Sequence, residues 1–267
     1  MIIIAIVIII AIIIYKKSKV KLFIPTSALT FIDGAVKSGK TSFTLTLARR
    51  EYIRTLCIYY VRRFFQQLLK KQVDEKPLFY TNIPVKFKHV RVTEDILKRK
   101  KRIAYKSVVF LSEASLVADN MLYKDTEANN RIMLFAKLFG HYSRGGKLFI
   151  ESQSIGDIAV AIRRCISSKY YIDHSIKIPF FRIMYLRYER YTEDGTSINT
   201  YEDDNEFTKY LISKKIFKKF DSYCYSAFTD NLDIEKKEII SKNMKCKDII
   251  TFDKNIKGVI DEKENNK

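Results

Sequence analysis

The chain has 267 residues, of which 47% are hydrophobic and 13% aromatic, and its 49 basic and 30 acidic side chains give a formal net charge of +19. This composition excludes a disordered chain, and the length allows one sizeable core and an appendage but not two full domains. The four cysteines are far apart and form no C-x-x-C pair, which argues against a disulfide framework or a structural zinc site.

The basic excess lies before residue 230 and indicates an anionic partner beyond a nucleotide, either nucleic acid or anionic lipid. The alternative is that the basic excess reflects only the general composition of lysine- and isoleucine-rich proteins. The basic clusters are Arg49/Arg50, Arg62/Arg63, Lys70/Lys71 and the run at 98–102.

Residues 2–14 are all Ile, Ala or Val, and lysines follow Tyr15. Thirteen helical residues rise roughly 20 Å, which is short of the ~30 Å hydrocarbon core. Snorkelling lysines and local thinning of the bilayer narrow this gap. No basic region precedes the run and no A-x-A site follows it, which disfavours a signal peptide. The lysines predict a single-pass membrane protein, with the body in the cytoplasm.

Residues 34–41 read GAVKSGKT, a complete match to the phosphate-binding loop G-x-x-x-x-G-K-[ST]. A predicted buried strand at 29–32 precedes the loop, and a predicted helix from 41 to about 73 follows it. Lys40 is expected to reach the β- and γ-phosphates of ATP, and the Thr41 hydroxyl to bind Mg²⁺. A glycine-rich turn is the alternative. The predicted nucleotide-binding residues are Gly34, Ala35, Val36, Lys37, Ser38, Gly39, Lys40, Thr41 and Ser42.

The rest of the chain alternates predicted strands with predicted helices, which is typical of a mostly parallel α/β sheet. Further on, 180–191 and 197–201 flank Asp194-Gly195 and predict an antiparallel hairpin. We expect an anchor at 1–19, an ATPase domain at 20–228 and a charged, flexible tail at 229–267. The predicted strands are 77–83, 108–111, 147–150 and 169–172, and the predicted helices are 129–139 and 155–166.

Polar residues follow two of these strands and predict the catalytic half of the site. Glu113 is the candidate general base or water-orienting group. Ser112 stands where an aspartate usually supports Mg²⁺, so metal affinity is expected to depend more on Thr41. Gln153 is the candidate γ-phosphate sensor, provided that its strand lies between the other two. The candidate arginine fingers are Arg144, Arg163 and Arg164, each with the alternative of a plain surface residue.

The order of these motifs resembles that of the zonular occludens toxin-like (Zot) proteins, which are similar to the assembly ATPases of filamentous phages within the HerA/FtsK group of P-loop motors. The resemblance spans about residues 23–226. The motifs that carry it are 34–41, 80–83 (YTNI), 110–113 (FLSE), 140–142 (GHY), 145–153 (GGKLFIESQ), 162–164 (IRR) and 217–222 (FKKFDS).

This resemblance implies a RecA-like sheet, a homo-oligomeric ring, and export or packaging of phage DNA. It also implies that the strand ending at Gln153 lies between the P-loop strand and the Ser112-Glu113 strand. Two features depart from the family. The apolar segment precedes the ATPase here, and Ser112 stands where an acid is expected.

The leading hypothesis is a membrane-anchored, Mg²⁺- and ATP-dependent ATPase that moves phage DNA, preferably single-stranded, with coat or pore proteins as further partners. One alternative is a membrane scaffold that binds nucleotide as an assembly switch without sustained hydrolysis. The serine at position 112, where an acid is expected, favours this alternative. A second is a small-molecule kinase, which the net charge of +19 disfavours.

Overall fold

One mixed β-sheet organises the chain in a computed structural model, which describes residues 20–35, 37–97, 101–114, 126–158, 160–191, 197–199 and 207–220. The strands are β1 (Val20–Lys21), β2 (Leu29–Gly34), β3 (Phe79–Thr81), β4 (Val90–Arg91), β5 (Val108–Leu111), β6 (Lys147–Glu151), β7 (Ser168–Lys177), β8 (Phe181–Tyr191), β9 (Ser197–Asn199) and β10 (Thr208–Ser213). The α-helices are α1 (Lys40–Leu68), α2 (Glu94–Leu97), α3 (Thr126–Ser143) and α4 (Val160–Arg163), with 3₁₀ turns at Ile155–Asp157 and Lys214–Lys218.

The strand order is β1-β10-β8-β7-β2-β6-β5-β3-β4, with β9 paired to β8. All neighbours from β7 to β4 in this order run parallel, which confirms the predicted mostly parallel α/β sheet. Beyond β7, on the side of the sheet away from β4, the pairing is antiparallel. Strand β8 runs antiparallel to β7, and both β10 and β9 run antiparallel to β8. The residues at 192–196, on which the turn of the predicted hairpin falls, lie outside the described part of the chain.

Helices cover both faces of the sheet, so its central strands are apolar on both sides. Within β2, Phe31 joins one buried cluster and Ile32 the other, because successive side chains of a strand point to opposite faces. Phe43 of α1 belongs to the cluster on one face. Phe135 and Phe139 of α3 belong to the cluster on the other. Continuous apolar strand sequences such as that of β5 follow from this double burial.

The predicted helix at 155–166 is replaced by a 3₁₀ turn and the four-residue α4. The local reason is a capping box that closes a single turn. The Ser154 hydroxyl accepts a hydrogen bond from the Gly156 N–H, and the Asp157 carboxylate accepts one from the Ser154 N–H. Ile158 then takes an extended conformation, with ψ of 138°, which ends the turn.

The prediction of a single-pass membrane protein is wrong on the structural evidence. Across the residues that the structure describes, no helix has the length and apolar character needed to cross a bilayer. The predicted span at 2–14 lies outside the described residues. Its thirteen residues correspond to roughly 20 Å of helix against a hydrocarbon core of about 30 Å.

Candidate functional site

The P-loop connects the end of β2 directly to the start of α1, as the sequence predicts, and Val36 lies outside the described residues. Its two glycines have backbone conformations that disfavour side chains, with φ of 147° at Gly34 and 98° at Gly39. A Cβ at Gly34 would lie 2.6 Å from the Ile172 carbonyl oxygen, and one at Gly39 would lie 2.9 Å from Nη1 of Arg182. At Gly34 both the backbone conformation and the nearby Ile172 backbone favour glycine, whereas at Gly39 the left-handed φ is the reason, because the Arg182 side chain can shift.

Lys40 is the first residue of α1, and its side chain turns back into the loop. Its buried ammonium Nζ donates hydrogen bonds to the carbonyl oxygens of Gly34 at 2.8 Å and Ala35 at 3.1 Å. Helix α1 has neither a side-chain N-cap nor an acidic residue in its own first turn, and its N-terminus carries the positive end of the helix dipole. A lysine and a helix N-terminus together favour an anion at this loop.

The strand order brings the predicted catalytic residues to the same edge of the sheet as the P-loop. Strand β6 pairs with β2 on one side and with β5 on the other, so it lies between the P-loop strand and the Ser112-Glu113 strand, as the family resemblance implies. Beyond the end of β6, the Gln153 carbonyl oxygen accepts a hydrogen bond from the Gly34 N–H at 3.4 Å. The exposed Gln153 side chain is thus attached next to the first P-loop glycine.

Glu151, the last residue of β6, is a site residue that sequence reasoning missed. Its carboxylate is completely buried, and Oε1 accepts a hydrogen bond from the Thr41 hydroxyl at 2.7 Å. Its second oxygen, Oε2, is buried with no hydrogen-bond partner among the described residues. The available signal was the two-residue period of the strand, because Phe149 packs on the α1 face and Glu151 must point to the same face.

Burial raises the pKa of Glu151 to about 8. The hydrogen bond from Thr41 opposes this rise, the negative charge of Glu113 adds to it, and the positive charge of Lys40 opposes it. Glu113 and Glu151 are therefore close enough to influence each other electrostatically, at the edge of the sheet that carries the P-loop.

Ser112 and Glu113 follow β5 and are positioned by Asn82, which lies just after β3. The Asn82 side chain accepts a hydrogen bond from the Ser112 N–H and donates one to the Ser112 carbonyl oxygen, each at 2.8 Å. Glu113 adopts a left-handed conformation with φ of 48°, which is unfavourable for a residue with a side chain. Asn82 therefore fixes the backbone on both sides of Ser112, where the chain enters this strained turn, and this positioning role was not identified from the sequence.

Replacing Asn82 by alanine is expected to lower the free energy of unfolding by about 2 kcal/mol, because two buried backbone groups of Ser112 lose their partner. ATP turnover should fall by roughly tenfold or more, since Glu113, the predicted general base, is displaced. Urea unfolding and steady-state turnover measure the two effects. Asn82→Asp should be at least as destabilising as alanine at pH 7, because it buries a carboxylate and sets one of its oxygens against the Ser112 carbonyl oxygen. Wild-type turnover in the alanine variant would contradict the positioning role.

Arg182 of β8 approaches the P-loop from the antiparallel side of the sheet and was also missed by sequence reasoning. Its guanidinium faces Gly39, and its Nε is buried without a hydrogen-bond partner within the described part of the chain. Desolvation lowers its pKa below the usual arginine range. Only the pairing of β8 with β7, and of β7 with β2, brings this strand near the loop.

The three candidate arginine fingers occupy different places. Arg144 stacks on Tyr105, with its guanidinium carbon 4.1 Å from the ring centre. It precedes the N-terminal end of β6 and therefore lies at the end of the sheet opposite the P-loop. Arg163 donates from Nε to the Ile158 carbonyl oxygen at 2.7 Å. Arg164 is exposed. Their role stays a prediction.

Solved structures similar to this chain include the N-terminal domain of zonular occludens toxin from Neisseria meningitidis. It has 16% sequence identity and a TM-score of 0.42, and the match covers 74% of this chain and 100% of that one.

Another neighbour is the genome packaging NTPase B204 from Sulfolobus turreted icosahedral virus 2 in complex with AMP, at 12% identity and a TM-score of 0.33, covering 71% of this chain and 100% of that one. B204 from Sulfolobus turreted icosahedral virus, described as the DNA-packaging ATPase, matches at 12% identity and a TM-score of 0.33, covering 62% and 98%. B204 has also been solved with ATP-gammaS and AMPPCP. No family model and no curated protein matches this chain.

Proposed function

We propose that this chain is a P-loop ATPase that uses ATP hydrolysis to move DNA during phage assembly. The observation that supports this best is the meeting of three chain segments at one edge of the sheet: the P-loop, the end of β6 and the end of β5. P-loop enzymes need a phosphate cradle, a metal-binding hydroxyl and a group that orients water. Lys40, Thr41 and Glu113 provide these chemical types here.

In this proposal the loop binds ATP through its backbone and Lys40. The Lys40 ammonium, which now donates to two loop carbonyl oxygens, exchanges these hydrogen bonds for phosphate oxygens. Backbone N–H groups from Ala35 to Ser42 and the start of α1 contribute the remaining donors. Arg182 adds positive charge beside Gly39.

The residues present also fit Mg²⁺, which prefers oxygen ligands and is usually held by one or two carboxylates together with substrate phosphates. The Thr41 hydroxyl and a buried carboxylate lie 2.7 Å apart at the loop, and one oxygen of that carboxylate has no partner among the described residues. When bound, the ion neutralises charge on the phosphates.

Glu113 is proposed to orient the attacking water and accept its proton, and Gln153 to sense the γ-phosphate from its place beside Gly34. An arginine from a neighbouring subunit of a homo-oligomeric ring would complete the site. Arg163 and Arg164 come after β6, the strand that ends at Glu151. Arg144 comes before β6, at the end of the sheet opposite the P-loop, so it does not face the P-loop of its own subunit.

The exposed end of α1 is the surface that we propose for DNA. Arg49 and Arg50 are partly buried against the body, and Arg50 donates to the Ile24 carbonyl oxygen at 2.7 Å. Beyond Tyr59, which is buried, the helix exposes both cations and aromatic rings. Cations contact phosphates and rings stack on unpaired bases, a combination that favours single-stranded DNA. The exposed residues of this surface are Tyr60, Arg63, Phe64, Phe65, Lys70 and Lys71.

The test is ATP turnover of the full chain with no DNA, with single-stranded DNA and with duplex DNA. Single-stranded DNA is expected to stimulate turnover, and the triple variant Arg63→Glu, Lys70→Glu, Lys71→Glu should lose that stimulation because phosphate contacts become repulsive. The charge-matched control is Lys21→Glu, Lys214→Glu, Lys215→Glu, at exposed positions around β1 and β10. Turnover indifferent to DNA, or equal loss in both variants, would contradict the proposed surface.

A nucleotide-dependent assembly switch is the second candidate, because the first residue after β5 is Ser112, a neutral side chain where an acid is expected. Tight ATP binding without turnover, unchanged by Glu113→Gln, would favour the switch over the motor.

A further inference from the structure

We infer that Glu151 takes the place of the acid absent at position 112 and, together with Thr41, holds the Mg²⁺ of a bound nucleotide. This inference rests on the proposed binding of nucleotide at the P-loop. It assigns to a strand-end glutamate of β6 the metal-supporting function that the sequence pattern attributed to Ser112.

Ser112 is poorly suited to the function on its own. Its side chain is a neutral hydroxyl, and its backbone N–H and carbonyl groups are both bound by Asn82. A carboxylate binds Mg²⁺ and its water shell more strongly than a hydroxyl, since the ion is a hard cation. In the sheet Leu111 lies opposite Ile150, so the residues that follow them, Ser112 and Glu151, are neighbours. The acid is therefore displaced by one strand, not lost.

The contact between Glu151 and Thr41 places the carboxylate beside the metal-binding group. In a P-loop the hydroxyl that follows the lysine is the protein group that binds Mg²⁺. Here that hydroxyl donates to Oε1 of Glu151 at 2.7 Å, across a separation of 110 residues in sequence. The contact exists because β6 lies next to β2 and because the Glu151 side chain points to the face on which α1 packs.

The other carboxylate oxygen gives an independent indication of a ligand. Oε2 of Glu151 is buried and has no hydrogen-bond partner among the residues that the structure describes, although Glu151 itself is 0% exposed. Buried acceptors are nearly always paired, so an orphaned one indicates a missing water or ion. A purely structural bond to Thr41 would use Oε1 alone, and glutamine would serve it equally well. The metal function requires the charge of both oxygens.

The inference is tested with Mn²⁺ as a spectroscopic substitute for Mg²⁺. Electron paramagnetic resonance measures Mn²⁺ bound to the full chain at saturating AMPPCP. Glu151→Gln is expected to weaken Mn²⁺ binding by roughly tenfold or more, within the range found when groups that support a metal are removed. Glu151→Asp, which withdraws the carboxylate from Thr41 by one methylene, should weaken it as well. Adding Ser112→Asp to Glu151→Gln should restore most of the lost affinity.

Glu75→Gln is the matched control, since Glu75 is exposed, pairs with Arg102 at 2.8 Å and precedes β3 at the opposite edge of the sheet. AMPPCP binding in the presence of a chelator separates the two proposals. If wild type and Glu151→Gln bind AMPPCP equally and also bind Mn²⁺ equally, this inference is overturned while the nucleotide site stands. If wild type binds no AMPPCP, the proposed function fails and the inference fails with it.

Discussion

Replacing Lys40 by alanine is expected to reduce ATP turnover by roughly 100-fold or more, the usual effect of removing a donor that stabilises charge in a transition state. The structure shows the ammonium held inside the loop by the Gly34 and Ala35 carbonyl oxygens, so the variant loses the cation aimed at the phosphates. Phosphate release by the purified chain at saturating Mg²⁺ and ATP measures the effect.

Lys21→Ala is the control for this experiment, because Lys21 is an exposed lysine on the edge strand β1. It changes the net charge equally and should retain wild-type turnover. Wild-type turnover in Lys40→Ala would refute the assignment of the P-loop as the hydrolytic site.

Replacing Glu151 by glutamine is expected to stabilise the fold in the absence of metal and nucleotide, by an amount on the order of 3 kcal/mol at pH 7. The folded protein raises the pKa of this carboxyl from 4.5 to about 8, because the group is fully buried. Glutamine has the same shape, keeps an acceptor for the Thr41 hydroxyl and carries no charge to desolvate.

The sign of the pH dependence follows from proton binding. Between about pH 4.5 and 8 the folded chain retains a proton that the unfolded chain releases, so wild-type stability falls as pH rises through this window. Below pH 4.5 the two states bind the proton equally, and the difference between variant and wild type vanishes. Urea unfolding of both proteins at pH 5, 6, 7 and 8 measures the widening gap. Parallel stability curves would show that Glu151 titrates normally.

Elements built from local contacts were predictable from the sequence. The P-loop follows from two glycines at fixed spacing before Lys40-Thr41, and β2, β5 and β6 follow from short apolar runs. The 3₁₀ turn at Ile155–Asp157 was not predicted, because the hydrogen bonds of Ser154 outweighed the helical spacing of the apolar residues. The antiparallel strand β10, which pairs with β8, was also not predicted.

The candidate site was predicted in its chemistry but not in all its members. Lys40, Thr41, Glu113 and Gln153 were identified from motifs, and the structure brings their chain segments to one edge of the sheet. Glu151 was not identified, because Gln153 was chosen as the functional polar residue that follows this strand. What distinguishes Glu151 is complete burial against Thr41, which no local pattern expresses.

The sequence by itself predicted a phosphate-binding loop at Gly34–Thr41 and parallel strands around it, because glycine conformations and apolar runs act over a few residues. Only the tertiary structure decided which carboxylate contacts the loop. The insertion of β6 between β2 and β5 places Glu151 against Thr41, and Asn82 binds both backbone groups of Ser112. These contacts join residues 30 to 110 positions apart, so they depend on strand order.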